Sequence, residues 1–176
     1  MQEPCNQKRK RIVHDFAKWT ALSALRSGSP LKSGKHIYDL IENHATLTAL
    51  FDPTRVIDAT EFDRWHEKTV LAFRKAEPAL PVGWAAKIVN VYLKTRVYLA
   101  GEGRKGLVSV IHPPIDYGLQ RGLKKEFPHR PWKIMRIKEI RSYLDDYFPF
   151  IQDCRSLAQK EGCLLIELEF YWRGDE

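Results

Sequence analysis

Apolar residues recur at helical spacing along most of the chain. Clusters of proline, glycine, serine and aspartate interrupt this pattern at 27–30, 52–53, 78–83, 101–106 and 128–131. Residues three and four apart share one face of an α-helix, whereas the interrupting residues end helices. The pattern therefore predicts seven or eight helices with short connections, without internal repeats. We expect a mainly α fold, a single compact multi-helix domain over residues 1–176.

The apolar faces give approximate helix bounds. The first predicted helix ends near Leu25, and the second runs from His36 to Phe51. The third starts at Thr60, and the fourth runs from Trp84 to Leu99. Another starts near Asp116, and a further helical stretch runs from Ile137 through Pro149 to Gly162. The apolar face expected for the first helix comprises Ile12, Phe16, Trp19, Ala21, Leu22 and Leu25. Residues 164–172 fit both a strand and a helix period. Because few other segments could pair with a strand, we predict a helix there.

Several polar residues are expected outside the core. Lys87, Asn90 and Lys94 fall opposite the apolar face of the fourth helix. His66 is predicted to be a surface or half-buried histidine, because no partner for metal ligation can be identified. His112 precedes two prolines and is predicted to be a loop residue rather than a catalytic base.

The net charge of +7 and the pI near 9.3 favour a polyanionic partner, most often nucleic acid. Residues 1–11 form a basic N-terminus that we expect to be mobile. Its run of four cations, Lys8 to Arg11, suits either phosphate contacts or a solvated helix start. The loop at 101–106 matches GxGxxG, but it follows a helical segment rather than a strand, so a flexible basic loop is predicted.

Other classes of protein are not indicated. No apolar run approaches the roughly 20 residues that cross a bilayer, and the N-terminus lacks the apolar core of a signal peptide. We therefore expect an intracellular, cytoplasmic protein without a membrane partner. The three cysteines, Cys5, Cys154 and Cys163, have no CxxC spacing and indicate neither a disulfide framework nor a metal cluster. No cofactor and no metal are predicted.

Two residues of the central stretch call for a chemical interpretation. Lys87 lies one turn into a helix that follows a Pro-x-Gly turn, where it could act as a point charge on phosphate or as an amine nucleophile. Asp116 lies at another helix start, where a carboxylate could serve catalysis or simply stabilise the first turn.

The same stretch resembles a known family. Residues 80–91 read LPVGWAAKIVNV, and residues 115–121 read IDYGLQR. They resemble the Leu-Pro-Gly-Val-Gly-Arg-Lys-Thr-Ala-Asn-Val-Val and Val-Asp-Thr-His-Val-x-Arg stretches of helix-hairpin-helix DNA glycosylases of the endonuclease III type. The resemblance implies an all-helical fold with a helix-hairpin-helix-like element that grips DNA. It further implies that Lys87 attacks C1′ of a flipped nucleotide and that Asp116 assists.

This sequence departs from the family pattern at three points. Ala85 replaces the second hairpin glycine, Gly118 stands where the family has histidine, and the lysine and aspartate are separated by an additional glycine loop. The resemblance covers about a quarter of the chain.

The favoured hypothesis is a DNA-binding helical protein, with DNA glycosylase or lyase activity if it is an enzyme. We expect contacts to DNA, or to RNA, from Lys8, Arg9, Lys10, Arg11, Gly83, Trp84, Lys94, Arg104, Lys105 and Arg121. Trp84 or Trp132 would help to hold the flipped base. Two alternatives stay open: a non-enzymatic nucleic-acid-binding module, and a helical protein–protein interaction subunit whose charge is incidental.

Overall fold

Helix α5 (Val82–Leu93) forms the centre of the molecule. The computed structural model describes residues 5–25, 28–31, 33–43 and 45–174. Eleven of the twelve residues of α5 are buried, and Lys87 is the exception. A helix that is apolar on nearly every side must be surrounded by other elements. Helices α1 (Cys5–Ser23) and α4 (Ala59–Ala76) make the most extensive contacts with it.

The predicted mainly helical architecture is confirmed. Within the described ranges the remaining α-helices are α2 (Gly34–Glu42), α3 (Ala45–Thr48), α6 (Leu107–Val110), α7 (Tyr117–Glu126) and α8 (Phe148–Glu161). Turns of 3-10 helix occur at Ala49–Phe51, Ile137–Glu139 and Leu165–Tyr171, and π-helical turns at Lys94–Leu99 and Tyr143–Tyr147. The described chain forms no β-strand; it has one isolated bridge, between Val56 and Lys105.

The buried face of α1 differs from the predicted one. Ala21 and Leu25 are buried as predicted, whereas Ile12, Phe16 and Trp19 are 69 %, 51 % and 54 % exposed. Ala17, which the prediction did not include, is fully buried. Small side chains let α1 approach α5 closely, and this contact turns the larger apolar residues outwards. Phe16 and Trp19 stack on each other there, with ring centroids 5.5 Å apart.

Several predicted bounds are corrected. The helix predicted from His36 to Phe51 is divided into α2, α3 and a 3-10 turn, although it ends before Asp52-Pro53 as expected. Asp58 rather than Thr60 caps α4, because its Oδ1 accepts a 2.8 Å hydrogen bond from the Glu61 amide. The stretch predicted as one helix from Ile137 begins instead with short 3-10 and π turns.

The described chain begins in helix α1, and a 3-10 helix lies close to its other end. Residues 5–11 of the predicted mobile N-terminus belong to α1, and residues 1–4 lie outside the described residues. The tail is helical as predicted, in the tighter 3-10 form. None of the helices in the described ranges combines the length and apolar character that crossing a bilayer requires.

Candidate functional site

Lys87 and Asp116 meet although 28 residues separate them in the sequence. Lys87 Nζ donates a 2.9 Å hydrogen bond to Asp116 Oδ2, and the two side chains are only 11 % and 20 % exposed. Lys87 comes from the one face of α5 that is not packed in the core. Asp116 is the N-cap of α7, as the sequence indicated, with its Oδ1 accepting the Leu119 amide at 3.0 Å.

Trp172 completes the surroundings of the aspartate. Its indole Nε1 donates a 2.9 Å hydrogen bond to Asp116 Oδ1. Asp116 Oδ1 therefore receives two donors while Oδ2 faces the lysine. The carboxylate is held in a fixed orientation by α7 on one side and by the C-terminal tail on the other.

Two glycines of α7 allow the tail to reach this position. A Cβ atom on Gly122 would lie 1.7 Å from the Tyr171 carbonyl oxygen, and one on Gly118 would lie 2.4 Å from that of Arg173. The Gly118 carbonyl also accepts the Arg173 amide at 3.3 Å. Backbone packs directly on backbone here, so any side chain at either glycine would displace the tail and Trp172 with it.

The ion pair lies in a cleft of about 680 Å³. Its aromatic lining residues are Phe16, Trp19, Trp84, Tyr117 and Trp172. Lys87 Nζ lies 5.7 Å from the centroid of the Trp84 ring. The lining thus combines aromatic rings with charged side chains, and such a concave surface can hold a planar organic ligand.

A buried polar network ties α5 to the segment that carries Asp116. Asn90 is fully buried, and its Nδ2 donates to the Pro113 carbonyl at 3.0 Å and to the Tyr147 hydroxyl at 2.9 Å. Its Oδ1 accepts a 2.8 Å hydrogen bond from His66 Nε2. Asn90 was predicted opposite the apolar face of its helix, and His66 was predicted to be a surface or half-buried histidine. Both predictions are wrong, because these polar groups satisfy one another inside the core.

The network continues through the second buried histidine. Tyr147 donates its hydroxyl hydrogen to His112 Nδ1 at 3.1 Å, and His112 Nε2 donates to Asp63 Oδ1 at 3.0 Å. Arg155 adds two hydrogen bonds to Asp63, at 2.9 and 3.1 Å. His112 lies in a connecting segment, as predicted, and its side chain is fully buried.

Both histidines are held neutral. Burial lowers the pKa of His66 well below its ordinary value, and the adjacent His112 lowers it further. Burial also lowers the pKa of His112, although Asp63 opposes that shift. The geometry agrees, since His66 Nδ1 must accept the Tyr143 hydroxyl at 2.8 Å and His112 Nδ1 must accept that of Tyr147. Each ring therefore carries its proton on Nε2.

Gly83 is placed away from solvent. Its amide donates to the Ile140 carbonyl at 3.1 Å, and a Cβ atom on it would lie 2.3 Å from the Ile137 carbonyl oxygen. This glycine allows the segment at 137–140 to pack against the start of α5. Its amide is already used within the protein and does not point to a ligand.

The other predicted contact residues are spread over the molecule. Trp84 and Lys94 line the cleft, where Lys94 Nζ pairs with Glu169 at 2.7 Å. Arg104 is buried and bonds to Glu61 and to the Val56 carbonyl, both at 2.8 Å, whereas Lys105 is exposed. Trp132 packs against Phe150 in the core, outside the cleft.

The basic run at the start of the chain lies outside the cleft that contains Lys87 and Asp116. Lys8, Arg9, Lys10 and Arg11 are exposed on the first turns of α1. Arg9 and Lys10 line a separate depression of about 270 Å³ with Gly101 and Gly103. Arg121 is exposed on α7, where its guanidinium lies 5.7 Å from the Tyr117 ring centroid.

The described cysteine and acidic side chains form no alternative centre. Cys154 is buried and Cys163 is partly exposed, and both are free thiols; burial raises the pKa of each. Among the described residues, no three His, Cys, Asp or Glu side chains are grouped so that they could hold a metal ion.

Trp172, Asp63 and Arg155 were not predicted from the sequence to belong to the site or its supporting network. Trp172 lies 56 residues after the aspartate that it contacts, and the only signal for that contact was the pair of glycines on α7. Asp63 and Arg155 are 92 residues apart and show no motif.

Comparison with known proteins gives no family assignment: no protein-family model, no curated protein and no solved structure matches this chain.

Proposed function

We propose that this protein binds DNA and removes a modified or damaged base, with Lys87 as the nucleophile and Asp116 as its acid/base partner. The observation that carries the proposal is the 2.9 Å contact between Lys87 Nζ and Asp116 Oδ2 inside the aromatic cleft. An amine attacks only after it loses a proton, and Asp116 Oδ2 is an acceptor at hydrogen-bond distance.

The proposed reaction proceeds through a covalent intermediate. The neutral amine of Lys87 forms a bond to C1′ while the bond from C1′ to the base breaks, and the electron pair leaves with the base, which is protonated. The sugar ring then opens, its oxygen becomes a hydroxyl group, and an imine joins Lys87 to C1′. Loss of a C2′ proton expels the 3′ phosphate, and water hydrolyses the imine to release the lysine.

The shape of the cleft supports this chemistry. A base inside a duplex is out of reach, so an enzyme of this kind must take the nucleotide out of the stack and hold it between aromatic or apolar side chains. The volume of about 680 Å³ falls within the range of small-molecule pockets, and Trp84, Tyr117 and Trp172 line the same cleft as the ion pair. The basic composition supports a DNA partner.

The helix-hairpin-helix element is part of the proposal. Helix α4, the turn at residues 77–81 and helix α5 would correspond to the two helices and the hairpin of the family that residues 80–121 resemble. The Gly83 amide, however, already donates to Ile140. We therefore assign to the hairpin the placement of Lys87 rather than a phosphate contact through this amide.

A second candidate is a non-enzymatic DNA-binding module. It is favoured by the full pairing of the two groups, since Asp116 accepts from Lys87, Leu119 and Trp172 at once. In that case the ion pair would only fix α7 against α5.

Borohydride trapping separates these two candidates. The protein is incubated with duplexes that carry an abasic site, uracil, 8-oxoguanine or an alkylated purine, and the imine is reduced to a stable protein–DNA adduct. An abasic site needs no base recognition, so it reports on the lysine alone. We expect an adduct with the wild type and none with Lys87→Ala.

Lys94→Ala is the matched control, because Lys94 lines the same cleft and is paired with Glu169. It should keep the adduct. Good DNA binding without any adduct would favour the non-enzymatic module, and loss of the adduct in Lys94→Ala instead of Lys87→Ala would contradict the assignment of the nucleophile.

A further inference from the structure

Most of the excess positive charge lies in one short part of the chain. Residues 117–141 contain eight lysines and arginines and only two acidic residues, against a net charge of +7 for the whole protein. This stretch contains α7 and the segment that follows it. The rest of the chain is therefore almost neutral, and the polyanion-binding surface should be sought here.

Three sides of α7 are occupied. Gly118 and Gly122 contact the C-terminal tail, and Leu119 and Leu123 are buried in the core. The buried Gln120 bonds to both backbone groups of Met135, with its Nε2 2.8 Å from the carbonyl oxygen and its Oε1 2.7 Å from the amide.

The fourth side of α7 faces solvent and is basic. Residues 117, 121, 124 and 125 share a face at helical spacing, and all four are exposed. We call Arg121, Lys124 and Lys125 the α7 basic ridge. Within the described part of the chain none of the three forms an ion pair, in contrast to Lys94, Arg104 and Arg173. Their charges remain available for a partner.

The ridge begins at the mouth of the cleft. Tyr117, the residue after Asp116 in the sequence, lines the cleft, and the Arg121 guanidinium lies over the Tyr117 ring. At 1.5 Å per residue the helix from residue 117 to residue 125 spans about 12 Å, the axial rise of three to four phosphates along one strand. A strand that followed the ridge would bring a nucleotide to Lys87.

We infer that the α7 basic ridge binds the phosphate backbone of duplex DNA next to the nucleotide held in the cleft. This inference rests on the proposed function, and it assigns backbone contacts to α7 rather than to the hairpin glycine or the N-terminal run. An anionic membrane is a poorer partner, because the apolar residues Leu119 and Leu123 of this helix are buried and cannot enter lipid.

The test measures DNA affinity over a series of salt concentrations. Fluorescence anisotropy with a 20-base-pair duplex containing a tetrahydrofuran abasic analogue gives the dissociation constant and its salt dependence. The triple variant Arg121→Gln, Lys124→Gln and Lys125→Gln removes three exposed charges and keeps good helix formers. We expect at least about tenfold weaker binding at 0.1 M salt and a log–log salt slope less steep by about 3.

The matched control removes the same charge from the N-terminal run through Lys8→Gln, Arg9→Gln and Lys10→Gln. Its salt slope should change by less than about 1. Wild-type affinity in the α7 variant, or the full loss in the N-terminal control instead, would overturn the inference. Tighter binding of the wild type to duplex RNA of the same sequence would overturn the choice of DNA.

Failure of the chemistry would give a different result. If the wild type shows DNA binding that depends on the α7 basic ridge but forms no borohydride adduct, the ridge binds DNA and the base-removal proposal is contradicted. If Lys87 forms the adduct and the α7 variant binds DNA like the wild type, the base-removal proposal is supported and the assignment of DNA binding to the ridge is contradicted.

Discussion

Asn90 on α5 donates a hydrogen bond to the Pro113 carbonyl oxygen at 3.0 Å, and this contact fixes the spacing of the candidate active site. Lys87 lies three residues before Asn90, and Asp116 lies three residues after Pro113. The same asparagine contacts His66 and Tyr147, which belong to two other parts of the fold. The lysine and the aspartate are therefore held together by a buried framework that neither of them joins.

Replacing Asn90 by alanine should destabilise the protein by about 3 kcal/mol, because it removes the buried hydrogen-bond partner of His66 Nε2 and of the Pro113 carbonyl and one of the two partners of the Tyr147 hydroxyl. Chemical unfolding in urea measures this change. Asn43→Ala, at an exposed helix end, should cost less than about 0.5 kcal/mol. Equal midpoints for Asn90→Ala and the wild type would show that the network does not hold the site together.

Stability should fall as the pH drops below about 6.5, the ordinary pKa of histidine. His66 and His112 have lowered pKa values in the folded protein, so the unfolded chain binds protons that the native state excludes. The stability that the neutral histidines contribute is fully present above pH 6.5 and is lost as the pH falls from 6.5 to the folded-state pKa. Over that interval each neutral histidine lowers the free energy of unfolding by about 1.4 kcal/mol for each unit that the pH falls.

Urea unfolding between pH 7.5 and 5.5 measures this dependence. His112→Gln removes one of the two buried rings, so it should reduce the slope of the free energy of unfolding against pH. A free energy of unfolding that is constant over this range would contradict the neutral state of the buried pair.

Arg104 and Lys105 are neighbours with opposite surroundings. Arg104→Ala should cost about 2 kcal/mol, because it removes a buried guanidinium that bonds to Glu61 and the Val56 carbonyl. Lys105→Ala should have almost no effect on stability, since that side chain is exposed. Thermal unfolding of the two variants measures both changes in stability. The reverse order would mean that the basic loop is not anchored through Arg104.

Gly122→Ala should displace the C-terminal tail, because its Cβ would lie 1.7 Å from the Tyr171 carbonyl oxygen. We expect a loss of about 2–4 kcal/mol and faster proteolysis of the tail. Gly28→Ala is the control, since its Cβ would make only an ordinary 3.7 Å contact with Trp84. If Gly122→Ala is as stable and as protease-resistant as the control, the tail does not depend on the glycine face of α7.

The parts of the fold that were predictable depend on local chemistry. Pro53 and Gly162 end helices through backbone restrictions that act within a few residues, and Asp116 caps α7 through its own side chain. The apolar character of α5 likewise predicted its burial. These features need no knowledge of distant contacts.

The parts that were not predictable depend on pairing across the chain. His66 and Asn90 look like surface residues in a hydropathy pattern, because the pattern cannot show that each satisfies the other in the core. Phe16 and Trp19 look like core residues in the same pattern as Ala21, but only the small Ala21, together with Ala17, is buried. The charge excess over residues 117–141 was present in the sequence, and only the packing of α7 shows which of its cations face solvent.

The most direct test of the account is to locate the covalent bond. The protein is trapped with borohydride on a duplex that contains an abasic site, digested with protease and nuclease, and analysed by peptide mass spectrometry. We expect the sugar remnant on the peptide that contains Lys87, at the Nζ atom of that residue. A remnant on Lys94, on a surface lysine or on the N-terminal amine, or no remnant at all, would contradict the assignment of Lys87 as the nucleophile.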